Sequence, residues 1–243
     1  MAKNDLGRGS ERAEQPDLYS GYAATKGWTG APAPGFDADM DSLAEQIGMH
    51  SGAVLEIGFG NGDFLNWAKS RGYSVAGFEI QPSLVAQAAA QGHTVFAGPF
   101  DPSKVRGERF DFVMMFDVAE HLSVPEMLKT LGEIRQILAP SGRLFIRAPN
   151  ASSPFGLFHQ NSDVTHKTAL SIGVVEQYAA LAGYCVERVF RARPYPRSVA
   201  GRAKRWTAYR LRGLVEIVIG LAYFGGRVDL DPNLHVVLQP IAE

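Results

Sequence analysis

The chain of 243 residues holds a single cysteine, Cys185. No intramolecular disulfide can form, and a reducing compartment is expected. Long apolar runs are missing too. None reaches the roughly 18 residues that a bilayer-crossing helix needs, so no spanning helix is expected. The first 17 residues are polar and charged, without the apolar stretch of a signal peptide, so a cytoplasmic location is expected. Charge of one sign is also lacking. Lys and Arg number 24 against 25 Asp and Glu, a formal net charge of −1. No overall field draws the protein to nucleic acid, which is not expected as a partner. There are no internal repeats and no low-complexity tracts. His159, Asp163 and His166 carry metal-capable side chains, but their spacing matches no strong ligand pattern, and no metal is expected.

Glycine is present where it matters. Val54 to Leu65 reads as a buried strand, a turn with Gly58, Gly60 and Gly62, and the first turn of a helix. Glycines at alternate positions let the backbone turn sharply and let a ligand approach without meeting Cβ atoms. The helix that follows offers free N–H groups and the positive end of its dipole. About twenty residues later, the strand Ser74 to Phe78 ends in Glu79, placed to take both hydroxyls of a ribose. These features predict a nucleoside-containing cofactor on a doubly wound α/β sheet.

The dinucleotide fingerprint is G-x-G-x-x-G. Here the third glycine comes one residue early and an acid opens the loop: Glu56-x-Gly58-x-Gly60-x-Gly62. This resembles motif I of the class I S-adenosylmethionine (SAM) methyltransferases. The alternatives on residues alone are an NAD or FAD domain, or a structural turn. Further on, Phe110 to Asp117 is a continuous apolar run closed by an acid, as a central parallel strand would be. Glu120, His121 and Leu122 follow. Ser123, Pro125 and Glu126 form a capping box at the start of a helix with an apolar stripe. Pro140, Ser141 and Gly142 break that helix, and Arg143 to Pro149 is the next strand, followed by Asn150. This order is similar to the branch containing ubiquinone-type and sugar or polysaccharide O-methyltransferases. The resemblance spans residues 50 to 190, with a weaker echo at 234–239.

The resemblance implies a Rossmann-like, seven-stranded sheet, mostly parallel, with an antiparallel last strand around His235 to Leu238. The chain divides into residues 1–17, expected to be disordered; an N-terminal lid, 18–50, too broken by glycine and proline for a long helix; a SAM-binding core, 51–190; a basic and apolar insertion, 191–227; and a return to the sheet, 228–243. Within the core, helices are expected at Asp63–Ser70, Pro82–Ala90 and Ser171–Leu181. Strands are expected at Ala53–Ile57, Val75–Phe78, Thr94–Ala97 and Cys185–Phe190.

SAM is the expected cofactor. Glu56, Gly58, Phe59, Gly60 and Gly62 would form its loop, Glu79 and Ile80 its ribose end, and Pro99, Phe100 and Asp101 the border of the adenine. Asp117 and Val118 end the central strand, and the resemblance places that position beside the methionine part. Each residue also has a plain structural reading as a turn, cap or strand end. A hydroxyl acceptor benefits from a base with a pKa near neutrality. His121, His166 and Asp163 are the candidates, the alternative for each being a helix-packing or solvated loop residue. Tyr19, Tyr22, Lys26, Trp28, Asn150 and His159 are expected to shape the acceptor pocket.

From Arg191 to Arg212 there are eight basic residues and no acid, with Trp206 and Tyr209 interleaved, then an apolar segment from Leu214 to Phe224. Such a segment suits a helix lying at an anionic membrane surface. It equally suits a helix packed on the fold with a solvated basic face. The expected function is methyl transfer from SAM to a hydroxyl of a small molecule or glycan, such as a sugar or lipid-linked saccharide, on the inner membrane face or in the cytoplasm. A quinone or natural-product O-methyltransferase, or a SAM-binding regulator without turnover, are the alternatives. Nothing in the sequence sets an oligomeric state.

Overall fold

The computed structural model describes residues 21, 32, 34–192, 199–226 and 228–241. Tyr19, Tyr22, Lys26, Trp28 and residues 1–17 lie outside the described residues, as do Arg193 and Arg197.

Short apolar runs alternating with amphipathic ones build a sheet with helices on both faces. The strands are β1 (Ala53–Ile57), β2 (Ser74–Glu79), β3 (Thr94–Ala97), β4 (Phe110–Phe116), β5 (Leu138–Pro149), β6 (Tyr184–Phe190) and β7 (Asn233–Pro240). Their order is β3-β2-β1-β4-β5-β7-β6. β1 to β5 pair in parallel, and β7 runs antiparallel to both neighbours. The expected seven-stranded, mostly parallel sheet is therefore what the chain forms.

Side chains alternate across the sheet with period two. Val54, Met114, Phe145 and Val237 pack on one face with Phe64 and Trp67. Leu55, Val113, Met115 and Ile146 pack on the other with Leu131, Ile134 and Tyr178. The helices over these faces are α1 (Phe36–Ile47), α2 (Asp63–Ser70), α3 (Pro82–Ala90), α4 (Val124–Ile137), α5 (Pro154–Gln160), α6 (Ile172–Ala182) and α7 (Val199–Tyr223). The capping box is formed: the Ser123 backbone N–H donates to Glu126 Oε2 at 2.7 Å.

Two local expectations are corrected. The region 18–50 contains a 12-residue helix, α1. Its prolines and glycines all precede Phe36 or follow Ile47, and Met40, Leu43, Ala44 and Ile47 are buried at helical spacing. Trp67 Nε1 and the Arg71 guanidinium both donate to Asp41 and tie α1 to α2. Second, β5 starts at Leu138 rather than Arg143, with a register shift against β4. Gly142 permits it, because a Cβ there would lie 2.7 Å from the Phe110 carbonyl oxygen.

α7 is held by an ion-pair clamp. Glu216 is completely buried and accepts from Arg191 at 2.7 Å and Arg212 at 3.1 Å. Asp229 takes Arg191 at 2.6 Å and Asp231 takes Arg212 at 2.9 Å. Two of the eight basic residues are thus committed inside the fold and do not belong to a solvated basic face. Among the described residues no helix is long and apolar enough to cross a membrane.

Candidate active site

In an open parallel sheet, ligands bind where strand order reverses, outside the carboxyl ends of the strands. Here that point lies between the paired strands β1 and β4, whose following strands β2 and β5 lie on opposite sides. A cavity of about 1010 Å³ opens there. Its floor is the glycine loop between β1 and α2, with Glu56, Gly58, Phe59 and Gly60 all facing it. Gly58 has φ 74°, and a Cβ there would stand 2.5 Å from Val118 Cγ2. The loop thus approaches the β4 end more closely than any side chain allows.

Glu79 closes the loop from β2. Its Oε2 accepts from the Gly60 N–H at 3.0 Å and its Oε1 from the Gln81 N–H at 2.9 Å. Each carboxylate oxygen keeps a second lone pair for a ligand hydroxyl. Ile80, Pro99 and Phe100 line the same end, Phe100 standing edge-on to Phe78 at 5.2 Å. Asp101 turns away, its carboxylate accepting from Ser103 N–H to start a short 3-10 turn.

Glu56 is buried, and its Oε2 has no hydrogen-bond partner. Burial raises its pKa well above the usual carboxylate range, the charges of Glu79 and Asp63 adding to this and Arg147 opposing it. An orphaned acid in a cavity wall fits a cationic ligand, as the sulfonium and ammonium of SAM would be.

Asp117 sits at the end of β4 with φ 55°, the one non-glycine residue with positive φ among the described residues. Its carboxylate accepts from Arg147 on β5, Nε to Oδ1 at 3.0 Å, and the second guanidinium nitrogen closes the fork on Oδ2. Arg147 was not anticipated, although an arginine inside the apolar run Leu144–Ala148 is a readable signal. It lies 5.0 Å from the Phe116 ring centre.

The other half of the cavity is a polar cluster. The loop 161–170 is joined to the turn 119–123: Lys167 and Thr168 N–H donate to the Glu120 carbonyl at 2.8 and 3.0 Å. The Thr168 hydroxyl donates to the Leu122 carbonyl at 2.6 Å. This brings His121 and His166 together, their rings perpendicular with centres 4.7 Å apart. Thr165 donates its hydroxyl proton to Asp163 Oδ1 at 2.5 Å, and the Thr165 hydroxyl oxygen lies 2.9 Å from His121 Nδ1. Thr165 has one proton to give, so His121 Nδ1–H donates to it and Nε2 is the basic nitrogen. His166 Nδ1–H donates to the Gln160 carbonyl at 2.9 Å. Its Nε2 faces Glu120 Oε1 and Asp163 Oδ2, each at 3.9 Å. Glu120 and Thr165 were missed as site residues, though both adjoin a residue that was named.

His121, His159 and His166 line the cavity, as do Phe36 and Met40 from α1. Asn150 does not. It is buried, donates to the Asp231 carbonyl at 3.1 Å and accepts from Ser152 N–H at 3.0 Å, bracketing the end of β5.

Residues 37–216 match the family model described as a methyltransferase domain. No curated protein sequence matches significantly. Among solved structures, the chain is similar to a SAM-dependent methyltransferase from Archaeoglobus fulgidus, with 17% identity and TM-score 0.57 over 84% of this chain and 95% of that one. It is also similar to a 1,6-didemethyltoxoflavin-N1-methyltransferase from Burkholderia thailandensis with S-adenosylhomocysteine bound. That match has 15% identity and TM-score 0.58, covering 93% of this chain and 86% of the other. A mitomycin 7-O-methyltransferase matches at 15% identity and TM-score 0.55, over 84% of this chain and 53% of that one. With the glycine loop, the strand order and the buried acid all at one cavity, the chain belongs to the methyltransferase-domain family, as a class I enzyme that uses SAM.

Proposed function

We propose that the protein transfers the methyl group of SAM to a hydroxyl oxygen of a glycan-like acceptor, with His121 as the base. The observation that carries this reading is the hydrogen-bonded line Asp163–Thr165–His121. It supports a fixed tautomer of a histidine that lines the cavity, as proton removal from a hydroxyl requires. The mitomycin and toxoflavin enzymes are named for methyl transfer to oxygen and to nitrogen, so the choice of atom rests on this chain's own residues.

SAM supplies a methyl on a positively charged sulfur, which an acceptor atom attacks in line while the sulfur leaves neutral. Glu56, Gly58, Phe59 and Gly60 hold the cofactor's charged end, while Gly62, which does not line the cavity, turns the loop into α2. Glu79 takes the ribose hydroxyls, and Ile80, Pro99 and Phe100 flank the base. Asp117 and Val118 stand beside the methionine portion, with Arg147 holding Asp117 in place. His121 Nε2 receives the acceptor's proton. His166 and Asp163 set its surroundings, and His159 borders the acceptor.

The acceptor is a sugar or lipid-linked saccharide, in polysaccharide synthesis on the inner membrane face. Tyr19, Tyr22, Lys26 and Trp28 belong to the N-terminal lid of this reading. Contact with an anionic surface through α7 is favoured by its outward row Leu214, Val218 and Leu221, all more than half exposed, with Lys204 and Arg210 exposed nearby.

The test supplies SAM with a labelled methyl group to a panel of sugar, quinol and amine acceptors, and locates the methyl by NMR. Methyl on a sugar oxygen is expected, with turnover falling in His121→Ala. Methyl on nitrogen would overturn the hydroxyl reading. Methyl on a quinol oxygen would move the acceptor to the aromatic class. Firm binding of S-adenosylhomocysteine without turnover on any acceptor would favour a regulator.

A further inference from the structure

A second concavity, of about 920 Å³, lies beside the first. One wall is α5, with Phe155 and Phe158. The other is α7, with Leu211 and Val215. Leu230 and Pro232, just before β7, form its base. The groove is almost wholly hydrocarbon. Arg212 is its one charged liner, and that guanidinium is engaged by Glu216, one turn on in α7, and by Asp231. It offers the groove its apolar stem while its charge is answered inside the fold.

His159 lines both concavities. The groove therefore begins where the acceptor end of the active site stops. Phe158, edge-on to His159 at 5.6 Å, is 73% exposed, and Leu211 across the groove is 62% exposed, sizeable apolar surfaces open to water.

The helix geometry explains why the groove is distinct from the rest of α7. Ala208, Leu211, Arg212 and Val215 recur at i, i+3, i+4 and i+7, one stripe of the helix. The outward row of Leu214, Val218 and Leu221 is a neighbouring stripe. The clamp with Glu216 holds the helix in this rotation.

From this continuity we infer that the groove between α5 and α7 binds a hydrocarbon chain carried by the acceptor, whose reactive head lies past His159 in the SAM cavity. The acceptor is an amphiphile: a polar, methylated head joined to an alkyl or isoprenyl tail. The inference rests on the proposed reading for the identity of the head but not for the existence of the tail site. An apolar seat adjoining a polar reaction chamber selects such a molecule. The head alone would leave the groove wet, and a tail alone would bring no hydroxyl to His121. Burying each methylene contributes about 0.8 kcal/mol, roughly a fourfold gain in affinity.

The probes are n-alkyl β-glucosides with four to ten carbons, below their micelle concentrations. They are titrated calorimetrically into the full-length protein with S-adenosylhomocysteine bound. Affinity should rise by up to about fourfold per added methylene until the groove is full. Leu211→Asp and Val215→Asp should abolish the dependence on chain length while leaving S-adenosylhomocysteine affinity unchanged, which also reports folding. Leu221→Asp, on the outward row, should retain it. Equal affinities for the four- and ten-carbon glucosides would overturn the proposal. So would a chain-length dependence that survives in both groove variants, or one lost only in Leu221→Asp, which would assign the effect to the outer face. The two readings fail separately. Length-dependent binding without oxygen methylation would remove the hydroxyl reading alone. Methylation of short hydroxyl acceptors with no gain from a tail would remove the groove alone.

Discussion

The two halves of the cavity are built from different materials. The cofactor half, around β1, β2 and β3, is made of backbone: glycine N–H groups, strand ends and one carboxylate that bonds two amides. Its residues come from three successive strand-to-helix turns. The half proposed for the acceptor is made of side chains drawn from distant parts of the chain: His121, His159 and His166 line it, and Thr165 holds the His121 ring. A backbone-built site tolerates few sequences, so it leaves a local pattern. A side-chain-built site can be assembled from any segments the topology brings together, and it changes without disturbing the sheet.

The largest expected effect tests the acceptor half. His121→Ala should lower turnover by about 10²–10⁴-fold while S-adenosylhomocysteine affinity stays within a few-fold. Thr165→Val should lower it less, and His166→Ala less than His121→Ala. Single-turnover rates on an accepted hydroxyl substrate decide this. If His121→Ala keeps the wild-type rate, the distinction between a binding half and a chemical half collapses.

Glu216→Ala is next. Removing one member of a buried ion pair commonly costs about 3–5 kcal/mol. The lower end is expected, because Arg191 and Arg212 retain Asp229 and Asp231. Urea unfolding measures the loss. Under native conditions the variant should bind S-adenosylhomocysteine normally but lose the chain-length gain with alkyl glucosides. Loss of both would show that the halves are mechanically one.

The third prediction concerns β7 beneath the acceptor half. His235 is buried beside Phe145 and Phe190. Burial, with help from Arg147, lowers its pKa to about 4. The native state therefore resists a proton that the unfolded chain accepts near pH 6.5. This contribution is fully present above that pH, falls as pH drops from about 6.5 towards 4, and changes no further below. The whole fall is about 3 kcal/mol. Urea midpoints for wild type and His235→Phe should diverge across that window, the variant losing less on acidification. Parallel pH profiles would contradict the assignment.

The smallest effect is on the cofactor half. Glu79→Ala should weaken S-adenosylhomocysteine binding at least tenfold, since hydrogen bonds to a charged group contribute about 1.5–3 kcal/mol each. The loss of two backbone amide contacts, Gly60 in the glycine loop and Gln81 after β2, adds to it. Calorimetric titration of the folded variant measures this, and unchanged affinity would mean the ribose lies elsewhere.

Much of this molecule is legible in its residues. The alternating glycines and the acid at Glu79 stand at a turn whose geometry only a few residue types satisfy. The strands β1, β3 and β4 and the capping box at Ser123 rest on local periodicity and local hydrogen bonds. α1 was legible in principle: the cluster of Pro and Gly before Phe36 obscured a clean helical stripe behind it. The acceptor side gave less away. The basic run from Arg191 to Arg212 reads as a charged surface, yet its first and last members are turned inward. Their partners, Asp229 and Asp231, lie beyond the helix, in a segment with no pattern of its own.

By itself the sequence determined the class of fold, the cofactor loop and the set of histidines, because each depends on residues near one another along the chain. Tertiary structure decided which groups the His121 and His166 rings meet, which arginines are neutralised, and where α5 and α7 leave an apolar groove. Those outcomes depend on the loop 161–170 lying against the turn after β4, and on Glu216 being buried between two arginines from separate elements. Apart from Arg212 and Glu216, four positions apart on α7, these pairings act through space between residues tens of positions apart, and leave no period or spacing to read.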